Sequence, residues 1–194
     1  HSTGGSLSLP KCFWYLIHWK WDKTGNASMA TLTESPADIK LTKGNFTNTH
    51  VIHREEVTKP RRTIGVRINP TGDQTNEYNF RLKYTTEWVK MISSTRLSKQ
   101  EALNAYRIVY IPSISYPLGA IYFTPEKCKY LQTQAFKTYL PKIGFNRKFS
   151  QQIIFGPSKF GGWGEKQIYS IMAINQIKLF MGHIRNNEYT EKYY

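Results

Sequence analysis

The chain changes its hydrophobic rhythm at Asn69-Pro70-Thr71-Gly72, and no other feature limits its architecture as strongly. Before that turn, β-branched and aromatic residues come in short runs separated by turn formers. After it, apolar residues recur three and four positions apart. A strand repeats its faces every second residue and a helix about every 3.6, so the two stretches cannot share one secondary structure. The expectation is an α+β chain: a small antiparallel β-rich part over residues 1–70, then a mostly helical bundle over 71–194.

In the β-rich part, Cys12-Phe13-Trp14-Tyr15-Leu16-Ile17-His18-Trp19 is aromatic and β-branched, and Lys23-Thr24-Gly25-Asn26 supplies a turn. Residues 27–32 are the expected return strand. A second, weaker hairpin is expected from residues 39–42, Lys43-Gly44-Asn45 and residues 47–52. Arg62-Thr63-Ile64-Gly65-Val66-Arg67-Ile68 alternates as one strand does.

Downstream, Phe80, Tyr84 and Trp88 fall at i, i+4 and i+8, with Val89 and Ile92 on the same stripe, which predicts a helix over 75–93. Ser98-Lys99-Gln100-Glu101 has the form of a capping box and precedes Ala102, Leu103, Tyr106, Val109 and Tyr110 at helical spacing up to Pro112. Thr124-Pro125-Glu126 is a start signal: a cap, a proline at the first helical position and an acid near the positive end of the dipole. That helix carries Leu131, Ala135 and Tyr139 on one face and is expected to stop at Pro141. A last helix is expected from about Glu165 to Ile184, with Ile168, Ile171, Met172, Phe180 and Ile184 repeating.

The charge supplies the first functional clue. Twenty-seven Lys and Arg against 13 Asp and Glu give +14 and a pI near 9.8. A surface that basic attracts polyanions, nucleic acid or an anionic membrane. Aromatic residues make up 14% of the chain, which separates it from disordered basic tails. No apolar run is long enough to span a bilayer, and the run after Lys11 is broken by His18 and Lys20 and has no cleavage pattern. Cys12 and Cys128 suggest a reducing compartment, so an intracellular location, nuclear or cytoplasmic, is expected. Without a secretory signal, the acceptor patterns at Asn26 and Asn45 read as chance matches for glycosylation. The first methionine is Met29, and the chain reads as a piece of a longer polypeptide.

Catalytic signatures are missing from the sequence. Metal-dependent polymerases and nucleases gather carboxylates around hard cations, whereas the adjacent acids here, Glu55-Glu56, stand among basic residues and read as a solvated pair. His50-x-x-His53 with Cys12 or His18 is a poor zinc pattern, framed by no C-x-x-C. The expectation is no catalytic residue, no metal ligand and no resident cofactor.

Three basic, glycine-containing segments carry the candidate contacts instead. Lys59-Pro60-Arg61-Arg62 leads into the strand containing Gly65 and Arg67. A glycine there either admits a nucleic-acid strand close to the backbone or marks a β-bulge beside a solvated charge run. Lys142-Ile143-Gly144-Phe145-Asn146-Arg147-Lys148 either holds phosphates or is an interhelical loop with glycine as its C-cap. Phe155-Gly156-Pro157-Ser158-Lys159-Phe160-Gly161-Gly162-Trp163-Gly164 is either a backbone nest with an aromatic for base stacking or a structural turn with Trp163 in the core. Trp14, Trp19 and Trp21 read as core and packing residues.

Taken in order, these segments resemble reverse transcriptases of eukaryotic retroelements of the non-LTR type, downstream of the catalytic Tyr-x-Asp-Asp box. The resemblance runs through Ser2-Thr3-Gly4-Gly5-x-Leu7 and Lys11-Cys12-Phe13-Trp14-Tyr15-Leu16-Ile17. It continues in Arg62-Thr63-Ile64-Gly65-Val66, which looks like a K-x-L-G-V strand with Arg and Ile substituted, and in Tyr110-Ile111-Pro112-Ser113-Ile114-Ser115-Tyr116-Pro117. Gly144-Phe145-Asn146-Arg147 and Phe155-Gly156-Pro157 through Gly164 complete it, so it spans nearly the whole chain. Order, not any one motif, carries the likeness.

The resemblance implies an RNA-dependent DNA polymerase whose Mg²⁺-binding aspartates and fingers lie outside this chain. The chain itself would supply a palm edge over 1–70, with a strand supporting the primer, and a thumb-like domain over 71–194. It would grip an RNA–DNA hybrid or RNA template–primer, with the rest of the reverse transcriptase as its protein partner and no membrane. The expected contacts are Arg61, Arg62, Gly65, Arg67, Lys142, Asn146, Arg147, Lys148 and Lys159. Two other readings stand beside it: a free-standing basic RNA- or DNA-binding module, and a protein-interaction remnant with no nucleic-acid role.

Overall fold

Three antiparallel strand pairs and a set of helices follow one another in the computed structural model, which describes residues 8, 11–43 and 48–185. The fold is α+β. The chain divides into two units, residues 1–73 and 74–194.

In the N-terminal unit, β1 (Trp19–Trp21) pairs with β2 (Ala27–Met29), β3 (Asp38–Lys43) with β4 (Asn48–His53), and β5 (Arg61–Thr63) with β6 (Val66–Ile68). The first hairpin is built by Asp22, whose carboxylate accepts from the Thr24 hydroxyl and amide and from the Asn26 amide and side chain. Those bonds, the Thr24 hydroxyl first, lower its pKa to about 2. The hairpin is shorter than the expected pairing of residues 12–19 with 27–32. Beyond Ala30, whose amide donates to the His18 carbonyl at 2.8 Å, the chain turns at once, with Glu34 accepting from the Thr31 amide at 2.8 Å, so residues 12–17 find no partner strand there. That segment is tied down through its side chains and one parallel bridge, Trp14 to Arg54. The Trp14 indole donates to the Ile52 carbonyl at 2.9 Å, and the Tyr15 hydroxyl to that of Lys59 at 2.7 Å. Trp19 and Trp21 are exposed, which corrects their reading as core residues.

The second hairpin holds six facing pairs from Asp38↔His53 to Lys43↔Asn48, against an expectation of the weaker ladder. Its turn, with the Asn45 acceptor pattern, lies outside the described residues, as does Ser2-Thr3-Gly4-Gly5-x-Leu7. The expected single strand over 62–68 is a third hairpin. Ile64 and Gly65 form a two-residue turn with φ of 48° and 84°, the left-handed pair of a type I′ connection. Gly65 is therefore neither inside a strand nor in a bulge. The alternation seen in sequence came from two short strands meeting across that turn, which keeps the period-two pattern on both sides. Among described apolar side chains, this unit buries only Ala30, Val57 and Val66.

The C-terminal unit is built around α4 (Pro125–Ile143), which packs against α1 (Thr75–Ser94), α2 (Lys99–Asn104) and α6 (Ile168–Arg185). Helix α1 has the predicted extent and buries Trp88 and Ile92 of the predicted stripe, but nearer its start Glu77, Arg81 and Thr85 turn inward while Phe80 is exposed. Of the inward polar side chains, Glu77, Arg81 and Thr85 find partners. Arg81 Nε donates to Glu77 at 2.7 Å and its Nη1 to the Ser113 carbonyl at 2.8 Å, while Thr85 and Tyr110 share a hydroxyl contact at 3.1 Å.

The capping box at Ser98 and Glu101 forms as the sequence indicates. The helix does not stop at Pro112, however. It widens into a π-turn over Ala105–Tyr110, where the Ile111 amide reaches the Tyr106 carbonyl, and continues as α3 (Ile111–Ser115). A proline ring clashes with the carbonyl four residues back in an α-helix, and a wider turn immediately before it moves that carbonyl away. A 3₁₀ turn, Tyr116–Gly119, follows. Helix α4 likewise passes its expected stop at Pro141 and ends at Gly144 in the left-handed conformation, φ 95°. The Phe145 amide closes that end on the Leu140 carbonyl at 2.9 Å. Pro141 lies in the last turn on the exposed side, so it forgoes little.

The core is aromatic. Tyr106 stacks on Tyr139 at 4.2 Å and lies 5.5 Å from Tyr110, with Trp88 and Phe136 alongside. Burial pushes the pKa of all three tyrosines up, so their hydroxyls stay protonated. Tyr139 donates to Glu165 at 2.7 Å, and Arg107 Nε donates to the same carboxylate at 3.0 Å. Helix α6 starts three residues later than the expected Glu165, because residues 163–165 run extended along α5 (Gln151–Phe155) with amides donating to Ile153, Gly156 and Ile154 carbonyls. Its first turns bury Ile168 and Met172, while Phe180 and Ile184 of the predicted stripe are exposed.

Candidate nucleic-acid interface

The two glycine-containing loops of the C-terminal unit, far apart in sequence from α1 and α2, touch each other through aromatic rings. Phe145 meets Trp163 edge to face at 4.9 Å and stacks on Phe149 at 4.6 Å, while Phe155 stacks on Phe136 of α4 at 5.7 Å. Gly144 turns the chain out of α4, and the Asn146 side chain then accepts from the Lys148 amide at 2.9 Å, fixing a tight turn. Asn146, Arg147 and Lys148 are exposed on it, and among the described residues neither Arg147 nor Lys148 has an ion-pair partner. Lys142 is half-buried and donates to the Thr95 carbonyl at 2.7 Å, so it ties α4 to the end of α1. Lys99, at the start of α2, adds a cation that the sequence did not flag: a Cβ on Gly144 would stand 3.4 Å from its ammonium. Nothing in the spacing of residues 99 and 144 reveals that approach.

The second loop holds Lys159 and Phe160 in a 3₁₀ turn, Ser158–Phe160. The Lys159 ammonium sits 4.7 Å from the Phe160 ring centre, and Phe160 is 77% exposed. A backbone nest needs amides that point outward, and here they do not. The amides of residues 160–165 donate to carbonyls of Pro157, Ser158, Ile153, Gly156 and Ile154, so the nest reading is overturned. Trp163 is exposed and not part of the core, although it packs against Phe145 and has the Arg107 guanidinium 5.9 Å from its ring.

The N-terminal unit offers a separate basic element, the third hairpin. Arg62 and Arg67 are directly opposed across the ladder, so both leave the same face. Arg61 leaves the other face and is ion-paired to Glu55, with its guanidinium 5.6 Å from the Phe13 ring. Lys59 bonds the same carboxylate at 2.6 Å. Glu55 is thus a mostly buried counter-charge, and Glu56 accepts from the Leu32 amide at 3.1 Å, which corrects their reading as a solvated pair. Arg61, paired to Glu55, consequently brings less free charge to the hairpin than Arg62.

His50 and His53 are three apart in one strand and so project from opposite faces, and His53 lies 3.6 Å from Asp38 instead. Among the described residues no three His, Cys, Asp or Glu side chains gather as a metal site. No described helix is long and apolar enough to cross a membrane. No family model, curated protein or solved structure matches the chain.

Proposed function

We propose that the chain grips nucleic acid without reading its sequence, as the palm-edge and thumb part of a retroelement reverse transcriptase holding an RNA–DNA hybrid or RNA template–primer. The observation that carries the reading is the aromatic contact between Phe145 and Trp163, which assembles two basic loops into one element bearing Asn146, Arg147, Lys148, Lys159 and Phe160, with Lys99 beside Gly144. Lysine, arginine and asparagine on rigid turns are the usual donors to phosphate oxygens, and such contacts set affinity independently of base identity. The net charge of +14 supports it, as does the paired placement of Arg62 and Arg67 on the third hairpin. The motif order from Lys11-Cys12-Phe13-Trp14 to Gly161-Gly162-x-Gly164 supports the retroelement origin. The role is positioning; chemistry belongs to residues outside this chain.

A second reading, a protein-interaction module, draws on α6, which leaves Ile174, Ile177, Leu179 and Met181 exposed. Charge reversal separates the two. Arg147→Glu with Lys148→Glu should weaken hybrid binding by at least tenfold, while Lys83→Glu with Lys90→Glu, exposed cations on α1, changes it only as much as any loss of net charge does. Equal effects from both pairs would remove the loops from the interface and favour the protein-interaction reading.

A further inference from the structure

We infer that Phe160 is a stacking platform for one unpaired base, so that the Lys159–Phe160 turn binds a single-stranded nucleotide beside the duplex, not the duplex itself. This rests on the nucleic-acid reading above and specifies what one of its two loops recognises.

A large aromatic side chain left 77% exposed forgoes the burial that usually fixes it. An exposed ring on a mobile tip would stack poorly, because each contact would cost the ordering of the tip. This tip is ordered by its backbone. Pro157 accepts from the Phe160 and Gly162 amides at 3.0 and 3.1 Å, and Gly161 closes the turn at φ 83°. Gly162 then presses against Gly156 so closely that an added Cβ would stand 2.1 Å from the Gly156 carbonyl oxygen. The four glycines therefore serve close backbone approach and tight turning, which holds the ring outward on a stiff loop.

The chemistry beside the ring suits a nucleotide. Lys159 holds its ammonium over one face of the ring, 4.7 Å from its centre, so a base would take the other face, with the cation within reach of its phosphate. Every base offers a π-face, so a lone aromatic with a neighbouring cation binds unpaired nucleotides with little sequence preference. A base within a duplex is already stacked on both sides and has no face to offer. Phe145 and Trp163 are turned toward each other and are occupied.

The test uses the whole chain and three labelled ligands: a blunt RNA–DNA hybrid, the same hybrid with an unpaired overhang, and the overhang hybrid with abasic sites in place of the unpaired bases. The chain should prefer the overhang to the blunt end, and abasic substitution should remove that preference. Phe160→Ala should lower the ratio of overhang to blunt-hybrid affinity by roughly 5- to 100-fold, while Phe160→Trp keeps the preference. An overhang preference that survives either the abasic ligand or Phe160→Ala would overturn the platform while leaving the nucleic-acid reading intact. Failure of the unaltered chain to bind any of the three would instead overturn the reading on which it rests.

Discussion

Ile64 occupies a backbone region that β-branched side chains avoid, with φ 48° and 85% of its surface exposed. The two-residue turn it shares with Gly65 demands positive φ at both positions, and Asn-Gly is the sequence that meets this demand at least cost. Ile64→Asn should therefore stabilise the chain, by a few tenths to about 1 kcal/mol, and Gly65→Ala should destabilise it by about 1–2 kcal/mol, both read from urea midpoints. Had residues 62–68 been one continuous strand, Gly65→Ala would be neutral or favourable. Asp22 makes a second residue-scale prediction. Its folded pKa of about 2 lies below the ordinary 3.8, so its contribution is fully present above pH 4 and is lost as the pH falls toward 2. Asp22→Asn should flatten acid unfolding of the first hairpin in that window, as followed by Trp19 and Trp21 fluorescence.

At the scale of elements, the helices were legible where caps and apolar spacing agreed. Thr75–Ser94, the box at Ser98 and Glu101, and the start at Thr124-Pro125 all lie within a residue or two of their expected places. What was hidden was polar burial. Helix α1 turns Glu77 and Arg81 inward because each satisfies the other, and no periodicity of apolar residues reveals a face built from an ion pair. Removing one partner leaves an uncompensated buried charge, so Arg81→Met should cost about 3–5 kcal/mol. The double variant Glu77→Leu with Arg81→Met should recover part of that loss, since apolar groups need no partner, although the Ser113 carbonyl loses its donor. Equal destabilisation by single and double variants would mean that packing, not charge, sets the cost. The prolines misled for a related reason. Pro112 and Pro141 stop helices by sequence rule, yet a π-turn accommodates the first and a terminal turn the second.

For the whole molecule, the α+β class was legible in the change of rhythm near Gly72, and the chain divides into units at residues 73 and 74. The candidate interface was only partly legible. Its cations, Arg147, Lys148 and Lys159, are plain in the sequence, whereas the Phe145–Trp163 contact and the approach of Lys99 to Gly144 join residues that no local pattern connects. Arg61 and Lys142 looked equivalent to their neighbours until Glu55 and the Thr95 carbonyl claimed them. The most direct test of the central claim is equilibrium binding of the chain to an RNA–DNA hybrid across a salt series. Several phosphate contacts predict a steep linear fall of log affinity with log salt, about −0.9 per phosphate neutralised for a B-form duplex, with hybrid bound at least as well as duplex DNA. A shallow slope, with all polyanions bound alike and weakly, would contradict the gripping role and leave the +14 charge without a nucleic-acid partner.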